Sequence, residues 1–277
     1  FEPSLNVSNE ALKHGINSKN NFFNLESIKE IKTFHTQTDI ICAANVICHI
    51  PDLVDLFESV DKCLNKNGLF IFEEPYLGSM FEKTSYDQIY DEHIFMFSAS
   101  SVQKICLLFD MELINILKQE THGGSLRYVC ARKNVYKIKD TVNYFVSNEK
   151  KNNLDNINSC FQFKKNCENS KKNLRSRLLK LKEDNKKICG YAATSKSTTV
   201  LNYCNIGTEI IDFICDTTPE KIGKFSPGKH IPIKPMNYFH ENYPDIAFLF
   251  AWNHKKEIFE KEKEFSQKGK WFAHVEL

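Results

Sequence analysis

The sequence of 277 residues lacks the features of several classes of protein. No run of apolar residues reaches the length of a membrane-spanning helix, and no secretory segment opens the chain, so we expect neither a membrane partner nor secretion. The ten cysteines are scattered without a CxxC pair, which argues against a zinc site or a disulfide framework. We predict that they are reduced, mostly buried residues of a cytoplasmic protein, as Cys42 is within an apolar run.

A strong excess of one charge is also absent. The net charge is +2 and the isoelectric point is near 8.0, so nothing indicates a nucleic-acid partner. Hydrophobic residues make up 42% of the chain, enough to build a core in each of two domains. The length favours two domains of roughly 130 residues each. The oligomeric state stays open.

Apolar runs alternate with amphipathic stretches in the first half of the chain. A short apolar run at 38–44 is followed by helical spacing of apolar residues over 51–64 and by a second buried run at 69–72. This strand-helix-strand order indicates a parallel α/β sheet. Residues 112–117 and 125–131 then predict a closing antiparallel pair of strands.

The alternation restarts after a polar segment. Residues 137–187 are rich in charge and have apolar residues at helical spacing, which predicts long solvated helices. Strands are predicted at 187–191, 210–216 and 245–250, with a helix at 199–203 after the first of them. The sequence therefore predicts a second, smaller α/β unit.

The sharpest local signal is a group of ionisable side chains. Tyr90, Glu92 and His93 lie within four residues of one another, and His49 follows the predicted strand at 38–44. Histidine has an unperturbed pKa of about 6.5, so His93 is a candidate base without large tuning. A base with a phenol donor such as Tyr90 is what removal of a proton beside a ketone requires. An exposed turn at 90–93 and a packed His49 are the alternatives.

The residues around this signal make a resemblance specific. The chain resembles the S-adenosylmethionine-dependent C-methyltransferases that act on nucleotide-linked 4-keto deoxysugars, from residue 1 to the end. The resemblance rests on these segments in this order: Glu73–Leu77, Asp87–His93, Phe97–Ser98, His122–Arg127 and Gly190–Cys204.

The resemblance implies a fold and a division of labour. A truncated Rossmann-like methyltransferase domain at 1–132 would bind S-adenosylmethionine, and a helical linker would span 133–187. A second, smaller Rossmann-like domain at 188–277 would bind the sugar nucleotide. The family's glycine-rich cofactor loop and cysteine-rich zinc module have no match, and residue 1 is Phe, so we expect a chain incomplete at its N-terminus. A non-catalytic sugar-nucleotide-binding remnant and an N- or O-methyltransferase are the alternatives.

Three residues are predicted to bind the cofactor. Residues 1–4 resemble the end of a parallel strand, where Glu2 would hold the ribose hydroxyls. Asn45 follows the end of the next predicted strand, and Phe22 would border the adenine. A solvated loop for Glu2 and a core position for Phe22 are the alternatives. No metal site is predicted.

Four residues are predicted to carry catalysis by what the resemblance implies. His93 would be the base, Tyr90 would donate to the ketone oxygen, Glu92 would orient a neighbour, and His49 would complete the site. Residues that share a chemical step must share a pocket, so we expect all four in one cleft at the carboxyl ends of the first domain's strands. Lys196 is expected across from them.

The turn before the predicted helix at 199–203 is a candidate anion site. Lys196 lies among hydroxyl residues at a helix N-terminus, where a diphosphate would be held. The family has glycines where this chain has Ala192 and Ser197, and an asparagine at Thr198. A surface loop is the alternative.

Further substrate contacts are predicted around this turn. Tyr191, Asn202 and His230 are the expected neighbours of the diphosphate. The glycines after His122 allow a ligand to approach the backbone closely, although a tight hairpin is equally consistent with them. Arg127 is a candidate clamp for a phosphate or a carboxylate.

Overall fold

A computed structural model describes residues 1–30 and 38–277. The chain forms two compact units, each assembled from separate segments. Unit 1 comprises Phe1–Tyr76, Ile94–Gln119 and Ser125–Asn152, and unit 2 comprises Leu77–His93, Glu120–Gly124 and Asn153–Leu277. The domains predicted from the sequence are continuous ranges of the chain, whereas each of these units combines three separate segments that pack together. The segment with Tyr90 and His93, predicted to belong to the first domain, therefore groups with unit 2.

Helices and strands alternate through most of the described chain. The helices are α1 (Leu5–Lys13), α2 (Leu25–Glu30), α3 (Leu53–Cys63), α4 (Leu77–Lys83), α5 (Ala99–Leu108), α6 (Asp140–Lys151), α7 (Ile157–Glu183), α8 (Ser195–Tyr203), α9 (Met236–Glu241), α10 (Lys255–Lys261) and α11 (Lys263–Lys268). The strands are β1 (Thr38–Ala44), β2 (Leu64–Pro75), β3 (Met111–Gln119), β4 (Ser125–Arg132), β5 (Ile188–Tyr191), β6 (Phe213–Asp216), β7 (Ile233–Pro235), β8 (Ile246–Leu249) and β9 (Lys270–Phe272).

The described residues of unit 1 form a mixed four-stranded sheet in the order β1-β2-β4-β3. Strands β1 and β2 are parallel, and β4 pairs antiparallel with both β2 and β3. The aromatic rings of Phe57, Phe70, Phe72 and Tyr128 are fully buried against this sheet. The strand-helix-strand prediction and the closing antiparallel pair are thus confirmed.

Local capping explains where two helices of unit 1, α3 and α5, begin. The side chain of Asp52 accepts the backbone N–H of Asp55 and starts α3. Ser98 and Ser101 cap the start of α5 reciprocally, and the buried carboxylate of Glu149 accepts further N–H groups there. These acceptors satisfy donors that the first turn of a helix leaves unpaired.

Two predictions about unit 1 are wrong. Residues 1–4 form no strand; the backbone N–H of Glu2 donates to the carbonyl of Lys19 at 3.0 Å instead. Pro3 has no N–H and α1 begins at Leu5, so too few backbone groups remain for a sheet ladder. Cys42 is exposed on β1, the edge strand, although eight of the ten cysteines are buried as expected.

Unit 2 contains a five-stranded parallel sheet in the order β7-β6-β5-β8-β9. Counted along this unit the order is third, second, first, fourth and fifth, which is a doubly wound α/β arrangement. The direction of winding reverses between β5 and β8. Ligands of open α/β sheets bind outside the carboxyl ends of the strands at such a switch point. The predicted second α/β unit is therefore confirmed.

The polar segment at 137–187 is helical, as predicted. It contains α6, which belongs to unit 1, and the 27-residue α7, which belongs to unit 2. Leu174 and Leu178 of α7 are buried, while Phe161 is exposed. Within residues 1–30 and 38–277, no helix is both long enough and apolar enough to cross a membrane.

Candidate functional site

The carboxyl end of β1 in unit 1 holds a strained residue with an unsatisfied atom. Asn45 has φ of 53°, in the left-handed region, and its N–H donates to the carbonyl of Glu73 at 2.8 Å. Its Oδ1 is buried and has no hydrogen-bond partner among the described residues. A buried polar atom of this kind at a strand end is suited to a ligand that donates a hydrogen bond.

A buried carboxylate holds the turn after β1. Glu74 Oε1 accepts the backbone N–H groups of Val46 and Ile47 at 3.0 and 2.7 Å. Burial raises the pKa of Glu74, and the hydrogen bonds from Cys48, Ile47 and Val46 offset only part of that effect. Glu74 thereby fixes the 3-10 turn Ile47–His49, which carries His49.

Arg127 lies on β4 opposite Glu73 of β2. Its Nε and Nη2 donate to Glu73 Oε2 at 3.1 and 2.9 Å. The arginine is partly exposed and the glutamate is buried, so the pair neutralises a carboxylate that would otherwise be desolvated. Its role as a substrate clamp stays a prediction, and any such clamp would compete with this pair.

The other two predicted cofactor residues are also in unit 1. Glu2 Oε1 accepts the N–H of Ser4 at 2.8 Å, so this carboxylate caps the approach to α1. Phe22 is 64% exposed, which excludes the core position for its ring. Contacts of Phe22 with the adenine and of Glu2 with the ribose hydroxyls stay predictions.

The side chains of Tyr90 and His93 are in contact at the end of the segment Leu77–His93 of unit 2. Their ring centroids are 4.1 Å apart at an interplanar angle of 35°, and the N–H of His93 donates to the carbonyl of Tyr90 at 3.0 Å. Both side chains are half-buried, and Glu92 is exposed. A phenol and an imidazole in contact are suited to acid and base roles on one small molecule.

Asp87 fastens this segment to the rest of unit 2. Its side chain is fully buried, and Oδ2 accepts the indole N–H of Trp252 at 2.8 Å while Oδ1 lies 3.1 Å from His274 Nε2. Burial opposes ionisation of Asp87, but His274, the positive charge of Lys196 and the Trp252 hydrogen bond outweigh it and lower the pKa. The carboxylate therefore stays ionised three residues before Tyr90.

Lys196 is a buried cation at the switch point of the unit 2 sheet. It is 7% exposed, its Nζ lies 3.4 Å from Asn253 Oδ1, and it forms no ion pair within the described part of the chain. Burial lowers the pKa of Lys196, and the charge of Asp87 opposes that change. Thr194 caps the start of α8 beside it. An unpaired buried ammonium at a helix N-terminus is suited to an anion.

Trp252, which follows β8, contacts the predicted His122 turn. A Cβ atom on Gly123 would lie 2.0 Å from the indole ring, so the turn backbone packs directly on it. Lys83 donates to the carbonyl of Gly123, and its Nζ lies 5.8 Å from the indole centroid. His122 has φ of 51°. Gly123 thus serves close packing against Trp252, whereas Gly124 packs closely against Ser79.

The remaining predicted substrate residues have different environments. Tyr191 is buried in the core, and its hydroxyl donates to Glu262 at 2.9 Å. Asn202 Nδ2 donates to the carbonyl of Pro227 at 3.0 Å and so ties α8 to the loop that carries His230, which is exposed. The packing does not favour a direct substrate contact for Tyr191, whereas Asn202 and His230 remain predictions.

Comparison with known proteins decides the family. The family model for the C-methyltransferase C-terminal domain matches residues 120–275, and a methyltransferase-domain model matches residues 1–116. The chain belongs to the C-methyltransferase family. The two matched ranges meet near residues 116–120.

The relatives that this chain resembles include a curated protein and a solved structure. C-methyltransferase NovU from Streptomyces niveus is 29% identical over 272 residues, which are 97% of this chain and 64% of the relative. The crystal structure of PH0226 protein from Pyrococcus horikoshii OT3 is 15% identical, covers 48% of this chain and 69% of its own, and has a TM-score of 0.34. The second likeness is too weak to support an argument.

The two units divide the predicted catalytic residues. Tyr90, Glu92 and His93 are in unit 2 with Lys196, and His49 is in unit 1. A cleft shared by all four therefore stays a prediction. Sequence reasoning missed four residues that organise unit 2: Lys83, Asp87, Trp252 and His274. Asp87 was visible within the Asp87–His93 motif, but nothing in the sequence indicates that Trp252 and His274 lie against it.

Proposed function

We propose that the protein transfers the methyl group of S-adenosylmethionine to the carbon beside the keto group of a nucleotide-linked 4-keto deoxysugar. The observation that carries this proposal is the contact of Tyr90 with His93 on a segment fastened by a buried, ionised Asp87. Family membership supports carbon as the methyl acceptor. The chain spans 64% of the length of its curated relative, which is described as a C-methyltransferase.

Unit 1 would hold the methyl donor. S-adenosylmethionine, when bound, supplies the methyl group from its sulfonium sulfur. The electron pair of the C–S bond stays on the sulfur. Glu2 would accept hydrogen bonds from the ribose hydroxyls, and the unsatisfied Oδ1 of Asn45 would accept one from the cofactor. The exposed ring of Phe22 would cover the adenine.

The proton next to the ketone has to leave before carbon can attack the methyl group. His93 would take that proton, and Tyr90 would donate to the ketone oxygen as negative charge grows on it. Glu92 would orient or acidify its neighbours, and His49 is proposed as a further participant. A positioned base contributes about 10²–10⁴ in rate.

The diphosphate of the sugar nucleotide would be held at the start of α8. Lys196 is a buried cation without an anionic partner within ion-pair distance in the described chain, and the capped N-terminus of α8 adds positive potential. Asn202, His122 and His230 are proposed as neighbouring contacts. Two phosphate groups would neutralise the buried charge.

Hydrogen exchange tests the enolate step apart from methyl transfer. The full natural protein is incubated in deuterated water with a 4-keto sugar nucleotide and S-adenosylhomocysteine, and we expect deuterium to enter beside the ketone. Mass spectrometry of the sugar reports the exchange. Binding without exchange would favour the non-catalytic alternative. Methylation of nitrogen or oxygen in the product would replace the proposal with N- or O-methyl transfer.

A further inference from the structure

Trp252 lies at the centre of the charged groups of unit 2. We propose that Trp252, oriented by Asp87, is the positioning residue that sets Lys83 and Lys196 for the substrate's anionic group and holds the segment with Tyr90 in place. This inference deepens the function proposed above and rests on it. Trp252 would act through its neighbours, without touching the reacting atoms.

The orientation of the indole follows from its single donor. Tryptophan has one N–H group, and that of Trp252 is used by the buried carboxylate of Asp87 at 2.8 Å. His274 lies 3.1 Å from the other carboxylate oxygen, so Asp87 itself is held from a second side. A fully buried carboxylate with two such contacts leaves the ring little freedom to rotate.

Two cations lie near this one ring. Lys196 Nζ is 5.4 Å and Lys83 Nζ is 5.8 Å from the indole centroid, both within the range of cation–π attraction. Asp87 supplies one negative charge for these two positive ones, and neither lysine forms an ion pair within the described residues. Lys196 is buried and gains most from an anionic ligand, whereas Lys83 is exposed and would add a positive charge that solvent screens.

The Trp252 ring and the Asp87 carboxylate also position two backbone segments, the turn after His122 and the segment that carries Tyr90. Gly123 packs so closely on the indole that no Cβ fits, which fixes the turn after His122. On the other side, Asp87 precedes Tyr90 by three residues, and Thr199 of α8 donates from its hydroxyl to the carbonyl of Ile89 at 3.3 Å. The segment is thus fastened to both the sheet and α8.

A matched pair of tryptophan variants tests the proposal. Trp252→Phe removes the indole N–H from Asp87, and Trp271→Phe removes a comparable N–H that donates to Ser266 Oγ at 2.9 Å in the same unit. Asp87→Asn and the double variant Asp87→Asn/Trp252→Phe complete the set. KM for the sugar nucleotide, kcat and the thermal midpoint are measured for each, in the full natural protein.

We expect KM to rise about 10-fold in Trp252→Phe and in Asp87→Asn, and the double variant to be no worse than the more affected single variant, because the two residues act as one unit. Trp271→Phe should stay within about 2-fold of the parent. Equal effects of the two tryptophan variants, or multiplying effects in the double variant, would show that Trp252 only fills the core. If Trp252→Phe does not fold, Asp87→Asn carries the comparison.

Inorganic diphosphate separates this inference from the proposed reaction. Its binding is followed by calorimetry and by tryptophan fluorescence, and we expect the fluorescence change to persist in Trp271→Phe and to vanish in Trp252→Phe. A parent protein that binds diphosphate in this pattern but methylates no keto sugar would retain the positioning role and lose the proposed reaction. A parent that binds no diphosphate would overturn the positioning role.

Discussion

Two buried carboxylates, Glu74 in unit 1 and Asp87 in unit 2, have pKa values shifted in opposite directions. Glu74 accepts hydrogen bonds from neutral backbone N–H groups, and burial raises its pKa. Asp87 is just as fully buried, yet His274, Lys196 and Trp252 lower its pKa. The donors around Glu74 thus offset only part of its desolvation penalty, whereas the hydrogen bonds from His274 and Trp252, together with the charge of Lys196, more than offset that of Asp87.

The two carboxylates therefore have different roles. Glu74 fixes the backbone turn that carries His49, and Gln could accept the same hydrogen bonds. Asp87 holds side chains, and its charge is part of the environment of Lys196. The region around Asp87 should therefore be more sensitive to substitution, and the predictions below test that contrast.

The largest expected effect is on the chemistry of the segment that Asp87 holds. His93→Ala should slow methyl transfer about 10²-fold or more with substrate binding weakened much less, because a positioned base is lost. Tyr90→Phe should act similarly by removing a donor to the growing enolate. Single-turnover rates and substrate affinity measure the two effects. Full rates in both variants would assign the chemistry elsewhere.

Isosteric amide variants compare the two carboxylates directly. Asp87→Asn should lower the free energy of unfolding by about 2–3 kcal/mol, since it removes the charge that compensates buried cationic groups. Glu74→Gln should cost about 1 kcal/mol or less, because the amide oxygen can still accept from Val46 and Ile47. Urea unfolding gives both values. Equal losses would remove the contrast.

A pair of glycines tests the packing on Trp252. Gly123 and Gly223 have nearly equal φ of 84° and 79°, but a Cβ has open space at Gly223 and would overlap the Trp252 ring at Gly123. Gly223→Ala should cost about 1 kcal/mol from backbone strain, and Gly123→Ala about 1–3 kcal/mol more from overlap. Thermal unfolding measures the difference, and similar midpoints would mean that the ring moves aside easily.

The smallest expected effect is on the pH dependence of stability, to which Glu74 and Asp87 contribute with opposite sign. The raised pKa of Glu74 means that folding favours its protonated form, so its contribution to stability falls as pH rises from the ordinary glutamate pKa to the raised one. The lowered pKa of Asp87 means that its contribution is present above the ordinary aspartate pKa and is lost as pH falls through the lowered one. The free energy of unfolding is measured at several pH values. Glu74→Gln should remove a decline of this free energy with rising pH, and Asp87→Asn should remove an increase with rising pH.

The sequence by itself determined most of the secondary structure. Periodicity identified α3, β2 and the parallel strands β5, β6 and β8, because apolar spacing reports directly which face of an element is buried. It failed at residues 1–4, where a single proline removed the donor that a strand needs. Motif reading also marked Tyr90, His93 and Lys196 as candidates for chemistry.

Only the tertiary structure decided which distant residues support that chemistry. Trp252 and His274 are more than 160 positions from Asp87 in the sequence, and no local pattern predicts that they lie against its carboxylate. The unpaired charge of Lys196 is likewise a property of its surroundings, since burial and the absence of a counter-ion in the described chain depend on the packing of the whole unit. Local spacing specifies elements, whereas burial and long-range contacts specify electrostatics.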